Sequence, residues 1–219
     1  MEIDLKKIIV LPNCPICGHL EDELFKLFSD LPLVLSEDKR ARENFAQEHG
    51  FCPFHTWQLA AFSSARGIAK SFPSLITAFE KYLTDAVKNT TFKKNAPPLM
   101  TINKNNCRVC RLLQIEEKNS LALLAEYLKT PAGKAVYVES EGLCLRHLTS
   151  LISVAKSDNM TNMLLIHAVK HLREIKSDLI EYDRKYESML RHTCTKNEKN
   201  APQRALNFIA GLKNISFIH

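Results

Sequence analysis

Four short motifs hold the residues of this chain that can do chemistry. Asn13-Cys14-Pro-Ile-Cys17 returns in the second half as Asn106-Cys107-Arg-Val-Cys110. Each Cys-x-x-Cys is followed by a Cys-x-x-His, Cys52-Pro-Phe-His55 after the first and Cys144-Leu-Arg-His147 after the second. The spacing repeats too, with 34 residues between Cys17 and Cys52 and 33 between Cys110 and Cys144. Six of the seven cysteines are used this way. Three thiolates and one imidazole make a complete tetrahedral ligand set for a closed metal site. Two buried clusters of inert cysteines would not explain why a histidine recurs at the same offset in each copy.

The spacing has a physical rationale. In Cys-x-x-Cys the two sulfurs reach one ion across a tight turn, and a helix starting at the second cysteine would aim its first N–H groups at the thiolates. In Cys-x-x-His the two ligands stand three apart, on one face of a helical turn. Read in chain order, the motifs predict tandem sites. Cys14, Cys17, Cys52 and His55 would hold one ion and Cys107, Cys110, Cys144 and His147 another, with sulfurs about 3.5–4 Å apart in each set. Two zinc ions are the first expectation, because Cys₃His is a standard structural zinc set. An iron–sulfur cluster is the competitor, although histidine ligation is the minority case there. A thioredoxin-like redox role expects a strand-rich context that the sequence lacks. A c-type haem would need His directly after the second cysteine, and Gly18 separates Cys17 from His19.

Other candidates read more simply. His167 and His171 are four apart with Glu174 a turn further on, a spacing that could bind a third metal but better suits core or solvated histidines. No Glu-x-x-His of the di-iron bundle type occurs. Cys194, beside His192 and Lys196, reads as a plain cysteine of the tail. His49 falls near a helix end, where it suits the dipole. Trp57 is expected to cover the first metal site. No nucleophile elbow, phosphate loop or dinucleotide fingerprint occurs.

The elements that must position these motifs are helical. Leu20, Leu24, Leu27, Phe28 and Leu31 form a helical stripe after Cys17. Ser36 is the expected N-cap of a second helix through Glu48, with Gly50 as its stop. In the second half Thr130-Pro131 reads as N-cap and first helical residue, and Gly142 as the stop. Apolar spacing resumes after each Cys-x-x-His, and 160–191 reads as one long helix. Thr195-Lys-Asn-Glu198 fits a capping box opening an amphipathic C-terminal helix, with Leu206, Ile209, Ala210 and Leu212 on one face. That helix is expected to dock on the body, a detachable partner-binding helix being the alternative. The fold class is therefore all-α, built from two pseudo-repeated, metal-clamped helical units at about 12–89 and 106–191. The domain division is 1–105 for the first unit with its Asn-, Thr- and Pro-containing linker, and 106–219 for the second with the C-terminal helix, the two packed as one domain.

Composition bounds the rest. At 219 residues, with 45% hydrophobic and 25% charged side chains, the chain can bury a real core. The start Met1-Glu-Ile-Asp-Leu-Lys-Lys does not read as a signal peptide, and no apolar run is long enough to span a bilayer. A soluble cytoplasmic protein without a membrane partner is expected. In a reducing compartment, paired cysteines read as ligands or redox groups before disulfides. The net charge of +6 permits an acidic partner without identifying one.

Phe51-Cys52-Pro-Phe-His55-Thr-Trp57-Gln-Leu59, Gly142-Leu-Cys144-Leu-Arg-His147-Leu148 and the tail Gln203-Arg-Ala-Leu206…Ala210-Gly211 resemble a family of prokaryotic proteins classed only as a domain of unknown function. The resemblance runs over nearly the full length and implies metal ligation at the eight motif positions. It implies no activity, and the aromatic that follows the motif histidine in the first half is absent from the second.

These readings converge on a non-enzymatic two-zinc helical protein that presents a surface to a protein or nucleic-acid partner. Lys6-Lys7, Lys39-Arg40-Arg42, Lys93-Lys94 and Arg108-Arg111 favour nucleic acid, but acids are interspersed and no reading-helix pattern stands out. An iron–sulfur electron carrier or redox sensor is the second class. An enzyme with an open metal position is the third, and a fourth protein ligand at each site argues against it.

Overall fold

The computed structural model describes residues 13–88, 107–155 and 157–215. The expected linker, the N-terminal basic pair and Asn106 lie outside the described residues. Regular structure among the described residues is helical, with no strand. The helices are α1 (Pro15–Glu37), α2 (Lys39–Gln47), α3 (Pro53–Ala61), α4 (Ala65–Ser71) and α5 (Pro73–Lys88), then α6 (Arg108–Tyr127), α7 (Pro131–Val138), α8 (Leu145–Ala155), α9 (Asp158–Glu187) and α10 (Lys196–Ala210). Short 3-10 turns cover Arg191–Thr193 and Lys213–Ile215. No described helix is long and apolar enough to cross a membrane.

The first helix differs from expectation. It runs through Pro32 to Glu37, past Ser36, the expected N-cap of the next helix. Pro32 forfeits the hydrogen bond to the carbonyl of Phe28. The stripe of buried Leu24, Phe28 and Leu35 nevertheless continues on both sides of it, so packing carries the helix past the break. The N-cap of α2 is consequently Asp38, not Ser36. The Asp38 carboxylate accepts from the N–H groups of Arg40 (2.8 Å) and Ala41 (3.3 Å), while Ser36 donates back to the Leu33 carbonyl. The stop of α2 is as expected. His49 and Gly50 both take positive φ, and the Gly50 N–H donates to the Phe45 carbonyl at 2.9 Å.

The chain divides into two compact units, one joining Met1–Asp22 to Glu116–His219 and the other comprising Glu23–Ile115. Each sequence repeat contributes to both. In the Glu23–Ile115 unit, α2 and α4 pack on α5. Its core is aromatic: Phe28 lies 6.1 Å from Phe51 and 5.8 Å from Phe62, and Phe45 lies 5.1 Å from Phe51 and 6.1 Å from Phe72, centroid to centroid. All of these but the tilted Phe28–Phe62 pair are edge-to-face contacts, which suit the ring quadrupoles.

In the other unit, α9 packs on α8 and α10, and α10 also meets α8. The 30-residue α9 buries Met160, Leu164, His167, Ala168 and Ile175 along one face. Helix α10 starts in the capping box that its sequence predicts, with Thr195 Oγ1 accepting from the Glu198 N–H and Glu198 accepting from the Thr195 N–H. It is docked on the body by polar contacts. Lys185 donates to both Glu198 oxygens (2.8 and 2.7 Å), Arg204 reaches Glu141 (3.3 Å) and Asp178 (2.9 Å), and Asn207 donates to Asn13 (2.7 Å).

Candidate metal centres

All four motifs share one local geometry. The first ligand immediately precedes a helix, and the second is that helix's third residue. The carbonyls of Cys14, Cys52, Cys107 and Cys144 accept the first helical hydrogen bonds, from Gly18 (3.0 Å), Thr56 (2.9 Å), Arg111 (3.0 Å) and Leu148 (2.8 Å). The helices therefore start after the first cysteine, not at the second. Pro15 and Pro53 occupy first helical positions, where the missing N–H costs nothing. Both side chains of each motif thus lie at a helix N-terminus, whose free N–H groups and positive dipole end favour thiolate charge.

The four motifs assemble into two buried sets, but not in chain order. Cys14 and Cys17 join Cys144 and His147 in the first set, and Cys52 and His55 join Cys107 and Cys110 in the second. The tandem arrangement is overturned: each Cys-x-x-Cys meets the Cys-x-x-His of the other repeat. Each set lies within one compact unit.

The donor atoms fit one tetrahedral ion per set. Within each set they all lie within 4.8 Å of one another. Cys17 Sγ is 3.7 Å from Cys144 Sγ, and Cys52 Sγ is 3.8 Å from Cys110 Sγ. Tetrahedral bonds of about 2.3 Å from metal to sulfur place sulfurs about 3.8 Å apart. The Nδ1 atom of His147 faces Cys14 (3.3 Å), Cys17 (3.4 Å) and Cys144 (3.2 Å). The Nδ1 atom of His55 likewise faces Cys52 (3.2 Å), Cys107 (3.5 Å) and Cys110 (3.3 Å). Free cysteines at every motif position leave the thiols available to an ion.

Without an ion the clusters share charge unevenly. Burial pulls the His147 imidazole down, but hydrogen bonds with Cys144 and Cys17 and the contact with the Glu117 carboxylate push it up to about 11. The Cys144 thiol is held far below its ordinary value by hydrogen bonds with Cys14 and Cys17, aided by His147, while burial pushes Cys14 up. In the second set burial raises Cys107, yet hydrogen bonds from the His55 ring and from the Cys52 and Cys110 backbone lower it to about 6. Burial and the neighbouring Cys107 and Cys52 push Cys110 up. An ion needs three thiolates and a neutral imidazole, so metal and protons compete for both sets.

Three further residues shape the first set: Glu117 carries no signal in the sequence, whereas Arg146 and Gly211 fall in the stretches that carry the family resemblance. Glu117 lies on α6, with Oε1 3.1 Å from His147 Nε2 at an angle that makes an ion-pair contact rather than a well-aimed hydrogen bond. Arg146, inside the Cys-x-x-His motif, donates to both Glu117 oxygens (2.8 and 2.6 Å). Gly211, just after α10, has φ 76°, and a Cβ there would lie 3.2 Å from Cys17 Sγ. Glu117 and Arg146 are 29 residues apart and meet only through the fold.

The remaining candidates separate clearly. Trp57 does not cover a metal site; it is 77% exposed. His167, His171 and Glu174 do not form a third set among the described residues. His167 is buried with Nε2 3.2 Å from the Val138 carbonyl, and His171 lies between Glu141 (3.0 Å) and Glu174 (3.8 Å). Cys194 is buried. His49 ends α2 with its ring 6.3 Å from Phe79.

No curated protein and no solved structure matches the chain. One family model matches residues 68–215, a shorter stretch than the resemblance in the motifs suggests. It takes in Cys107, Cys110, Cys144 and His147, half of each ligand set, and leaves the other half outside. With well over half of its length matched, the chain belongs to DUF6062, a family of unknown function.

Proposed function

We propose that this is a non-enzymatic protein that binds two zinc ions and serves as an interaction module for a protein or nucleic-acid partner. Cys14, Cys17, Cys144 and His147 hold one ion, and Cys52, His55, Cys107 and Cys110 hold the other. The observation that carries the reading is the convergence of all eight motif side chains into two buried Cys₃His sets, each at two helix N-termini. Four protein ligands close a zinc shell and leave no coordinated water to activate, so the ions hold shape. Each ion ties together segments distant in sequence, which is where a cross-link removes the most freedom from the unfolded chain.

The test is anaerobic purification followed by metal quantitation and an absorption spectrum. Two zinc ions per chain and a colourless protein are expected. A brown protein containing iron and acid-labile sulfide would replace this reading with an iron–sulfur carrier or sensor, and a metal-free, fully folded protein would overturn both. Paired variants then test the ligand sets. Cys17→Ser with His147→Ala should lose one ion, and Cys17→Ser with His55→Ala should lose both. Titration against duplex and single-stranded nucleic acid at two salt concentrations tests the partner class, since binding through phosphates weakens steeply with salt.

A further inference from the structure

His147 is gripped from both sides. Its Nδ1 looks at three sulfurs at 3.2–3.4 Å, and its Nε2 looks at the Glu117 carboxylate at 3.1 Å. The ring is 1% exposed, so it has no other orientation that places a polar atom in water. The Glu117 side chain is itself only 12% exposed, and Arg146 holds both of its oxygens. A buried carboxylate held in this way is a fixed acceptor rather than a mobile surface charge. Among the described residues, no carboxylate stands at ion-pair distance from His55.

We propose that Glu117 is the positioning residue of the first ion site: its carboxylate keeps the proton of His147 on Nε2 and the lone pair of Nδ1 on the ion, so that this site retains its ion longer than the second. The inference rests on the metal-binding reading above. An imidazole can carry its proton on either nitrogen, and only the form protonated at Nε2 can donate Nδ1 to a metal. A carboxylate beside Nε2 selects that form, fixes the ring plane and raises the basicity of the ligating nitrogen. Arg146 completes the device by neutralising a carboxylate that would otherwise add a second negative charge beside a Cys₃His site already carrying about one.

The test uses the full zinc-loaded chain, with release of zinc to an excess of a chromogenic chelator. Wild type should release its two ions in two phases, and His147→Ala should abolish the slow one. Glu117→Gln and Glu117→Ala should each accelerate the slow phase by about 10–100-fold, the usual effect of removing such an outer partner. The fast phase should be unchanged, and Glu117→Asp should restore part of the retention. In nitrogen-15 spectra of the zinc-loaded protein, the Nε2–H signal of His147 should shift or broaden in Glu117→Gln at unchanged helical content. Unchanged slow release in Glu117→Gln would overturn the role. Equal acceleration of both phases would also overturn it, by showing only general destabilisation. A wild-type protein that retains no divalent ion would instead overturn the metal-binding reading, and that result is read before any variant is made.

Discussion

Replacing Gly211 with alanine should destabilise the protein and loosen one ion site while sparing the other. Gly211 ends α10 at φ 76° and ψ −171°, a backbone region that only glycine occupies freely. Holding an alanine there costs about 1–3 kcal/mol. The new methyl would also stand 3.2 Å from Cys17 Sγ and 3.8 Å from Cys144 Sγ. The first distance is tighter than ordinary contact, so the thiolate or the helix end must yield by a few tenths of an ångström. A chain of this size loses about 2–4 °C of melting temperature per kcal/mol, so a fall of about 2–12 °C is expected. Zinc release from the Cys14, Cys17, Cys144 and His147 set should accelerate, with release from the other set unchanged. Gly67→Ala is the control. Gly67 lies in α4 with only Ser64 Oγ, at 3.4 Å, near its would-be Cβ. Alanine there should be neutral or stabilising by up to about 1 kcal/mol. The assays are thermal melting followed by circular dichroism and chelator competition on the loaded protein. A Gly211→Ala protein that melts with wild type and releases both ions at wild-type rates would refute the placement of this backbone against the site.

Further substitutions probe the frame. Phe28, fully buried among Phe51 and Phe62, should cost about 3–5 kcal/mol on truncation to alanine, whereas Trp57→Ala, at an exposed position, should stay within about 0.5 kcal/mol by urea titration. Similar losses from both would contradict the aromatic core. Thr195→Ala removes the acceptor of the Glu198 N–H and should cost about 0.5–2 kcal/mol, with faster amide exchange at Glu198 as the local readout. His171 and Arg204 hold the Glu141 carboxyl below the usual carboxylate range, although burial opposes them. A depressed acid binds fewer protons folded than unfolded. Its stabilisation is therefore present above the unfolded value of about 4.3 and is lost as pH falls through the folded value. Acid unfolding of Glu141→Gln should show a shallower dependence in that window, and an unchanged slope would remove Glu141 from the account.

Local features were legible in the chain itself. Thr130-Pro131 caps α7, Thr195 and Glu198 form the capping box of α10, and Gly50 and Gly142 take positive φ at the ends of their segments. Each depends on hydrogen bonds between residues a few positions apart, so the information lies within one short window. The start of α2 was not legible. Ser36 reads as its N-cap, but burial of Phe28 and Leu35 on either side of Pro32 carries α1 on to Glu37. That burial depends on partners elsewhere in the chain, as does the exposure of Trp57.

The ligand sets divide in the same way. The residue types and the helix starts belong to the sequence alone, because Cys-x-x-Cys and Cys-x-x-His each place two donors at one helix N-terminus. Which motif meets which was left open by that chemistry. Either Cys-x-x-Cys with either Cys-x-x-His gives three sulfurs and one nitrogen, so the local sequence is degenerate between tandem and exchanged pairings. The tertiary structure decided it, by bringing Cys144 and His147 to Cys14 and Cys17 and bringing Cys107 and Cys110 to Cys52 and His55, and it set Glu117 and Gly211 beside the first set. Donor identity is a property of single residues, whereas distance between donors is a property of everything folded between them.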